Sequence, residues 1–379
     1  MELDVVQLAQ ELIAHRSESQ VSNVAANRHI AGVLQRAGFE VEELSYVDGN
    51  EVDKSCLVAR LGEGTGGLSL MGHSDTVPAR RDDGWSADPC SGRVHRGRLY
   101  GRGACDMKGP LAASLCAAAR FAGERLAAPL FIVVTADEEL QARGAREVVG
   151  CSRLFDAAAS GYGVICEPTR LRVVHAHKGA LAMTATASGR AAHTSTLRGV
   201  NANVKMIPFL SDMKRIYDRV LTSPAYRNDE FDPPHSEWSL GINDHNLATN
   251  MCPVRSVCTI SYRPMPGVDV ERLIAATRKS ALRHGVDLKV TFQGLPLYTP
   301  PDSPLVRTAL RLTGTRKAHS VPYGTDGLAY RAKMAHMVVL GPGDIAQAHT
   351  VDEWIDVDEL RRSVDVYARF VEHVCLRPA

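Results

Sequence analysis

The stretch HAHKG, residues 175–179, separates two kinds of pattern. Upstream, short apolar segments alternate with helical spacings: FEVEEL (39–44), SCLVARL (55–61), LSLMG (68–72), PLFIVVTA (129–136) and YGVICE (162–167). Val5, Leu8 and Leu12 recur at helical spacing, as do Val24, Ile30, Val33 and Leu34, and Gly38 follows as a helix stop. The Ala- and Leu-rich run from Gly109 to Leu126 reads as a buried helix. Strands alternating with helices predict an α/β sheet covered on both sides.

Downstream of HAHKG the order changes to strand (181–189), helix (about 200–221), strand (238–243), strand (256–264), helix (about 269–284) and strand (286–294). That βαββαβ order is the signature of a ferredoxin-like α+β unit. After Gly294 the α/β pattern resumes, with a strand at 337–341 and an amphipathic helix near 358–375. The second domain is therefore expected to be inserted into the first. The first would comprise 1–178 and 294–379, the second 179–293, with hinges near Lys178–Gly179 and Gln293–Gly294.

At 379 residues, with 45% apolar and 23% charged residues, the chain is long enough for two large cores. Lys+Arg at 44 against Asp+Glu at 43 gives a net charge of +1, so the basic excess of a nucleic-acid binder is missing. No run reaches the roughly 18 apolar residues of a membrane span, and the N-terminal segment reads as an amphipathic helix rather than a signal peptide. Nine scattered cysteines without a CxxC pair read as buried reduced thiols of a cytoplasmic protein. Strings of the GxxxxGK[ST] and GxSxG types do not occur, which argues against P-loop nucleotide binding and serine hydrolysis.

Acidic and imidazole groups gather at predicted strand ends. LSLMG leads into His73 and Asp75, PLFIVVTA into Asp137, Glu138 and Glu139, YGVIC into Glu167, and MVVLG towards His349; Asp106 precedes the Ala-rich helix. In open α/β sheets such groups converge on a crevice at the carboxyl ends of strands. Two histidines and three carboxylates exceed the usual ligand set of one catalytic zinc. They fit two metals if one carboxylate bridges, and two metals about 3.5–4 Å apart can clamp a water and polarise a carbonyl. A further carboxylate must then take the water's proton. The Glu138–Glu139 pair supplies it, because adjacent side chains of an extended stretch point to opposite sides. Each of these signals is weak by itself, since a lone histidine or a pair of glutamates commonly has no such role.

Together the strings MGHSDTVP (71–78), LYGRGACDMKG (99–109), VTADEELQARGAR (134–146), CEPTRLRVVHAHKG (166–179), GRAAHTSTLRGVNAN (189–203), RPMPG (263–267) and GPGDIAQAH (341–349) resemble the dinuclear zinc exopeptidase and deacylase family. That family includes acetylornithine deacetylase, succinyl-diaminopimelate desuccinylase, aminoacylase and carboxypeptidase G. AHKG, RGVNA, RPMPG and GPGxIxQAHxxDE are most similar to the acetylornithine deacetylase branch, and the resemblance spans nearly the whole chain.

The resemblance implies a mixed-sheet catalytic domain and an inserted domain that serves as lid and dimerisation surface. It implies two divalent ions, zinc first, with cobalt or manganese as alternatives. His73, Asp106 and Glu167 would ligate one ion. Asp106, Glu139 and His349 would ligate the other, with Asp106 bridging and a cis peptide at Asp106–Met107. Glu138 would be the general base and Asp75 the partner that fixes the His73 ring. His193 would reach the partner subunit's site in a homodimer and hydrogen-bond the oxyanion. Arg263 and Asn250 would hold the carboxylate end and backbone of the substrate, although Arg263 also reads as a surface ion pair and His193 as a buried loop residue. Asp326, in PYGTDGLAY (322–330), would accept from a cationic side chain such as ornithine's amine, or else cap a turn between Thr325 and Gly327. Related members often carry Glu at that position, which leaves the side-chain specificity open. Gly341, Pro342 and Gly343 would shape the loop that carries His349.

The reaction so implied is hydrolysis of the amide of an N-acyl amino acid, such as N-acetylornithine, by metal-bound hydroxide. A dipeptidase, carboxypeptidase or desuccinylase with the same centre is the alternative. A catalytically silent binding protein would have lost a ligand or the base, and all six residues are present.

Overall fold

A computed structural model describes residues 1–246 and 248–376. The chain folds as two units. The first comprises Met1–Ala176, Leu297–His319 and the chain from Thr325 onward; the second comprises His177–Pro296 and Ser320–Gly324. The boundaries fall two or three residues from those expected. The short 320–324 segment, which the sequence pattern does not single out, joins the second unit, where the Ser320 hydroxyl donates to the Glu230 carbonyl.

The first unit is built on a nine-stranded mixed sheet. Eight strands follow in the order Glu40–Val47, Asp53–Leu61, Leu130–Thr135, Leu68–His73, Tyr162–Ile165, His336–Val339, Val174–His177 and Leu297–Tyr298. The central four, from Leu130–Thr135 to His336–Val339, are parallel; their flanking neighbours run antiparallel. Every residue of Leu68–His73 and Leu130–Thr135 is buried, as expected of parallel strands covered on both faces, which read as continuous apolar runs. Helix Lys108–Ala119 packs with helices Val5–Ala14 and Val357–Val371. All twelve of its residues are buried, and its alanines and glycine suit a helix enclosed on every side. It ends at Ala119 rather than near Leu126, and turns follow it.

The second unit carries strands Ala180–Ser188, Ser239–Asn243, Arg255–Tyr262 and Asp287–Gly294, with helices Ala202–Thr222 and Val270–His284. Taken in chain order as first to fourth, the strands pair antiparallel in the order second, third, first, fourth. This is the arrangement of a ferredoxin-like unit. Met183, Phe209, Met213, Trp238, Ile260 and Leu273 belong to its core. Among the described residues no helix is long and apolar enough to cross a membrane.

Candidate active site

The parallel register decides which side chains meet. His73 pairs with Thr135 at the carboxyl ends of neighbouring strands, and Met71 and Val339 both pair with Ile165, two residues before Glu167. His73, the turn that follows Thr135, and Glu167 therefore emerge along one sheet edge. The His73 Nε2 atom lies 3.1 Å from Asp106 Oδ1 and 3.6 Å from Glu167 Oε1. The His349 Nε2 atom lies 2.9 Å from Glu139 Oε1 and 3.3 Å from Asp106 Oδ2. Asp106 thus turns one oxygen to each imidazole. His73, Asp106 and Glu167 form one group that could hold a metal ion, and Asp106, Glu139 and His349 form a second. The peptide between Asp106 and Met107 is cis.

Loop chemistry delivers His349. Gly341 runs so close to the exit of the neighbouring strand Tyr162–Ile165 that a Cβ would sit 2.2 Å from the Cys166 carbonyl oxygen, and Gly343 adopts φ +89°. Both conformational demands favour glycine.

Asp75 lies against the His73 ring through both its main chain and its side chain. The His73 Nδ1 contact at 2.9 Å is to the Asp75 main-chain oxygen, while the carboxylate stands at 3.5 Å. That carboxylate also accepts the amide N–H groups of Glu138 (3.2 Å) and Glu139 (3.4 Å) and the Ser19 hydroxyl (2.8 Å). It therefore ties the Glu138–Glu139 turn to the His73 strand. From below, the turn is held by Asp137, which has φ +54°. Its carboxylate meets Lys54 Nζ at 3.0 Å and the Tyr46 hydroxyl at 2.8 Å. Lys54 also donates to the carbonyls of Ser19 and Val21, both at 2.8 Å. Sequence reading missed Ser19, Tyr46, Lys54 and the part played by Asp137. Tyr46 and Asp137 are 91 positions apart, and no local spacing announces their contact.

The carboxylates of Asp106, Glu138, Glu139 and Glu167 crowd two imidazoles. Burial pushes Glu138 well above the usual carboxylate range; His73 opposes this, and Asp326, Glu139 and Asp106 add to it. Burial does the same to Glu167, reinforced by Asp106. Burial would also raise Asp106, but hydrogen bonds with His349 and His73 outweigh it and hold its carboxyl below the usual range. Bonds to Asp106 and Glu139 raise His349 to about 10. Asp106 and Glu167 are buried and Glu138 and Glu139 half-buried, and so much negative charge drawn away from water is costly unless cations balance it. Protons on the imidazoles do so in part; divalent ions do so more fully, and an all-N/O set of imidazoles and carboxylates suits zinc, cobalt or manganese. The donor set fits two ions.

The remaining expected residues fall elsewhere. In the second unit His193 is exposed, not buried, and its Nδ1 lies 2.7 Å from the Ser195 hydroxyl. Asn250 is beside it: its carbonyl accepts the Thr194 amide at 3.0 Å. Arg263 is exposed just beyond strand Arg255–Tyr262. Asp326, in the first unit, is 2% exposed and accepts from the Thr135 hydroxyl. Burial raises its pKa to about 7. Its side chain makes no capping bond to the short helix that follows. Asp326 is therefore buried against the end of the strand that leads to Glu138, and it does not cap the turn.

A mixed α/β sheet that gathers such a donor set over the carboxyl ends of its parallel strands defines a hydrolase of the metallopeptidase type. The chain belongs to Peptidase family M20/M25/M40, whose model matches residues 69–373. It is 33% identical to acetylornithine deacetylase from Proteus mirabilis (strain HI4320), covering 98% of this chain and 97% of that one. It is 32% identical to acetylornithine deacetylase from Myxococcus xanthus, covering 96% of each. Its fold is similar to that of the M20 family metallo-carboxypeptidase Sso-CP2 from Sulfolobus solfataricus, with TM-score 0.76, 17% identity and coverage of 98% and 99%. It is also similar to that of aminopeptidase PepT from Bacillus cereus ATCC 10987, with TM-score 0.73, 19% identity and 98% coverage of each.

Proposed function

We propose that this hydrolase cleaves the amide bond of an N-acyl amino acid, with N-acetylornithine the first candidate, releasing a carboxylate and the free amino acid. The observation that carries the reading is the placement of Asp106, one oxygen towards His73 and the other towards His349, with Glu138 on the adjoining turn. The substrate class comes from the relatives named above, each about one-third identical over nearly its whole length. Such an activity would place the protein in the cytoplasm, in arginine biosynthesis.

His73, Asp106 and Glu167 would hold one divalent ion, and Asp106, Glu139 and His349 the other. Zinc comes first, with cobalt or manganese as substitutes. When bound, the pair would supply the Lewis-acid charge that activates water and polarises the acyl oxygen. Glu138 takes the proton from the attacking water at its carboxylate and later gives it to the leaving amine nitrogen. A carboxyl held above its ordinary pKa by burial is suited to keep that proton between the two steps. Asp75 keeps Glu138 and Glu139 in place through their amides. His193 donates a hydrogen bond to the oxyanion of the partner subunit's substrate, while Arg263 and Asn250 hold the substrate's carboxylate and backbone. A planar guanidinium can give a carboxylate two parallel bonds. The homodimer this needs is supported by an apolar surface on the second unit. Val204 and Ile207 on helix Ala202–Thr222 and Ile242 on the edge strand Ser239–Asn243 are 62%, 59% and 61% exposed.

The test is a substrate panel for the zinc-loaded chain: N-acetylornithine, other N-acetyl and N-succinyl amino acids, and dipeptides, followed by amine release. Preference for an N-acetyl amino acid is expected. Turnover of dipeptides with N-acyl amino acids inert would replace the deacetylase reading with the peptidase one.

A further inference from the structure

Glu353 follows His349 by four residues and is wholly buried. Its Oε1 accepts the amide N–H groups of Cys105 at 2.8 Å and of Asp106 at 2.9 Å. Its Oε2 accepts from Arg102 Nη1 at 2.6 Å and from the Gly103 amide at 3.2 Å. An ionised carboxylate offers about four lone-pair directions, and these donors fill them. The guanidinium of Arg102 is itself set over the Trp85 ring, 5.1 Å from its centroid. One side chain thus grips the backbone from Gly103 to Asp106 while standing on the segment that carries His349.

Glu353 belongs to neither donor group. Burying a carboxylate is costly unless it is fully hydrogen-bonded, and an apolar side chain would fill the same volume without that cost. What distinguishes Glu353 is the identity of its partners, which lie on the loop that presents the one carboxylate common to both groups. We propose that Glu353 is a positioning residue for the two-ion site: by holding the Asp106 amide it fixes the direction in which Asp106 turns one oxygen to each ion. The inference rests on the two-ion reading above. Replacing Glu353 by Gln puts an amide donor where an acceptor now faces Arg102 or a main-chain N–H. At least one of the four bonds is then lost.

The experiment titrates zinc into the metal-stripped full chain against a chromophoric chelator, with far-UV circular dichroism and thermal unfolding of the same samples. Wild type should bind two ions, and His349→Ala should weaken one site only. Glu353→Gln should weaken both, by about 10- to 100-fold, the usual range for residues that orient metal ligands. A residue that merely supported the fold would lower the unfolding temperature and leave both affinities of the folded chain unchanged. That result overturns the proposal, and so does weakening confined to the His349 site. If Glu353→Gln does not fold, Arg102→Met keeps the three amide bonds but removes the guanidinium bond to Oε2, and it should weaken both sites in the same direction; affinities equal to wild type overturn the proposal. A wild-type chain that binds no zinc overturns the two-ion reading and this inference with it.

Discussion

In the proposed reaction Glu138 moves a proton from water to an amine nitrogen, and its surroundings suit that task. Its amide is held by Asp75, while the neighbouring Glu139 turns its own carboxylate to His349. Replacing Glu138 by Gln keeps the size and removes the basic oxygen. The expected result is a fall in kcat of about 10²–10⁴ with two ions still bound, measured by amine release beside metal analysis of the same preparation. Loss of ions together with activity would make Glu138 a ligand instead. At this scale much was legible in the sequence. His73, Asp106, Glu139, Glu167 and His349 each follow a recognisable strand or precede a recognisable helix, and their motifs keep a fixed order. Asp326 was less legible: the string TDG reads as a substrate acceptor or a turn cap, and the fold buries the carboxylate against Thr135. No local pattern distinguishes the two outcomes.

At the scale of elements, the turn between Thr135 and Glu139 depends on an ion pair that the sequence does not announce. Lys54 and Asp137 are 0% and 1% exposed. Removing one partner of a buried pair leaves the other charge without compensation. Lys54→Met should therefore destabilise the chain by about 3–5 kcal/mol, read from urea unfolding. An unchanged midpoint would show that Asp137 finds enough support from Tyr46 alone. The strand that begins the second unit follows another buried group, His177, which burial holds at about 4, below its ordinary 6.5. The unfolded chain therefore binds this proton more readily than the folded one between those two pH values. Stability should fall as pH drops from 6.5 towards 4, by about 3 kcal/mol from this group. His177→Gln should flatten that part of the pH–stability curve; an identical slope in the variant would assign the acid sensitivity to other groups. Element types themselves were readable from periodicity, and Gly38 and Gly285 end their helices with positive φ as such stops do. The end of helix Lys108–Ala119 was not, because an all-buried Ala-rich run gives no change of periodicity at its last turn.

For the whole molecule, the break at HAHKG was visible because a βαββαβ order interrupts an α/β one. The return of Ser320–Gly324 to the second unit was not visible, since it rests on a loop contact 90 positions distant. The same separation of scales applies to the reaction. The sheet brings His73, the Glu138–Glu139 turn and Glu167 to one edge by register alone, and the loops add Asp106 and His349. In the proposed reaction these groups hold two ions, and hydrolysis requires both. The most direct measurement strips the full chain with a chelator and follows acetate release from N-acetylornithine while zinc is added back. No turnover is expected in the stripped chain, and activity should rise with zinc to a plateau. Undiminished turnover after complete stripping, or no turnover of any N-acyl amino acid with two zinc ions bound, would contradict the proposed reaction.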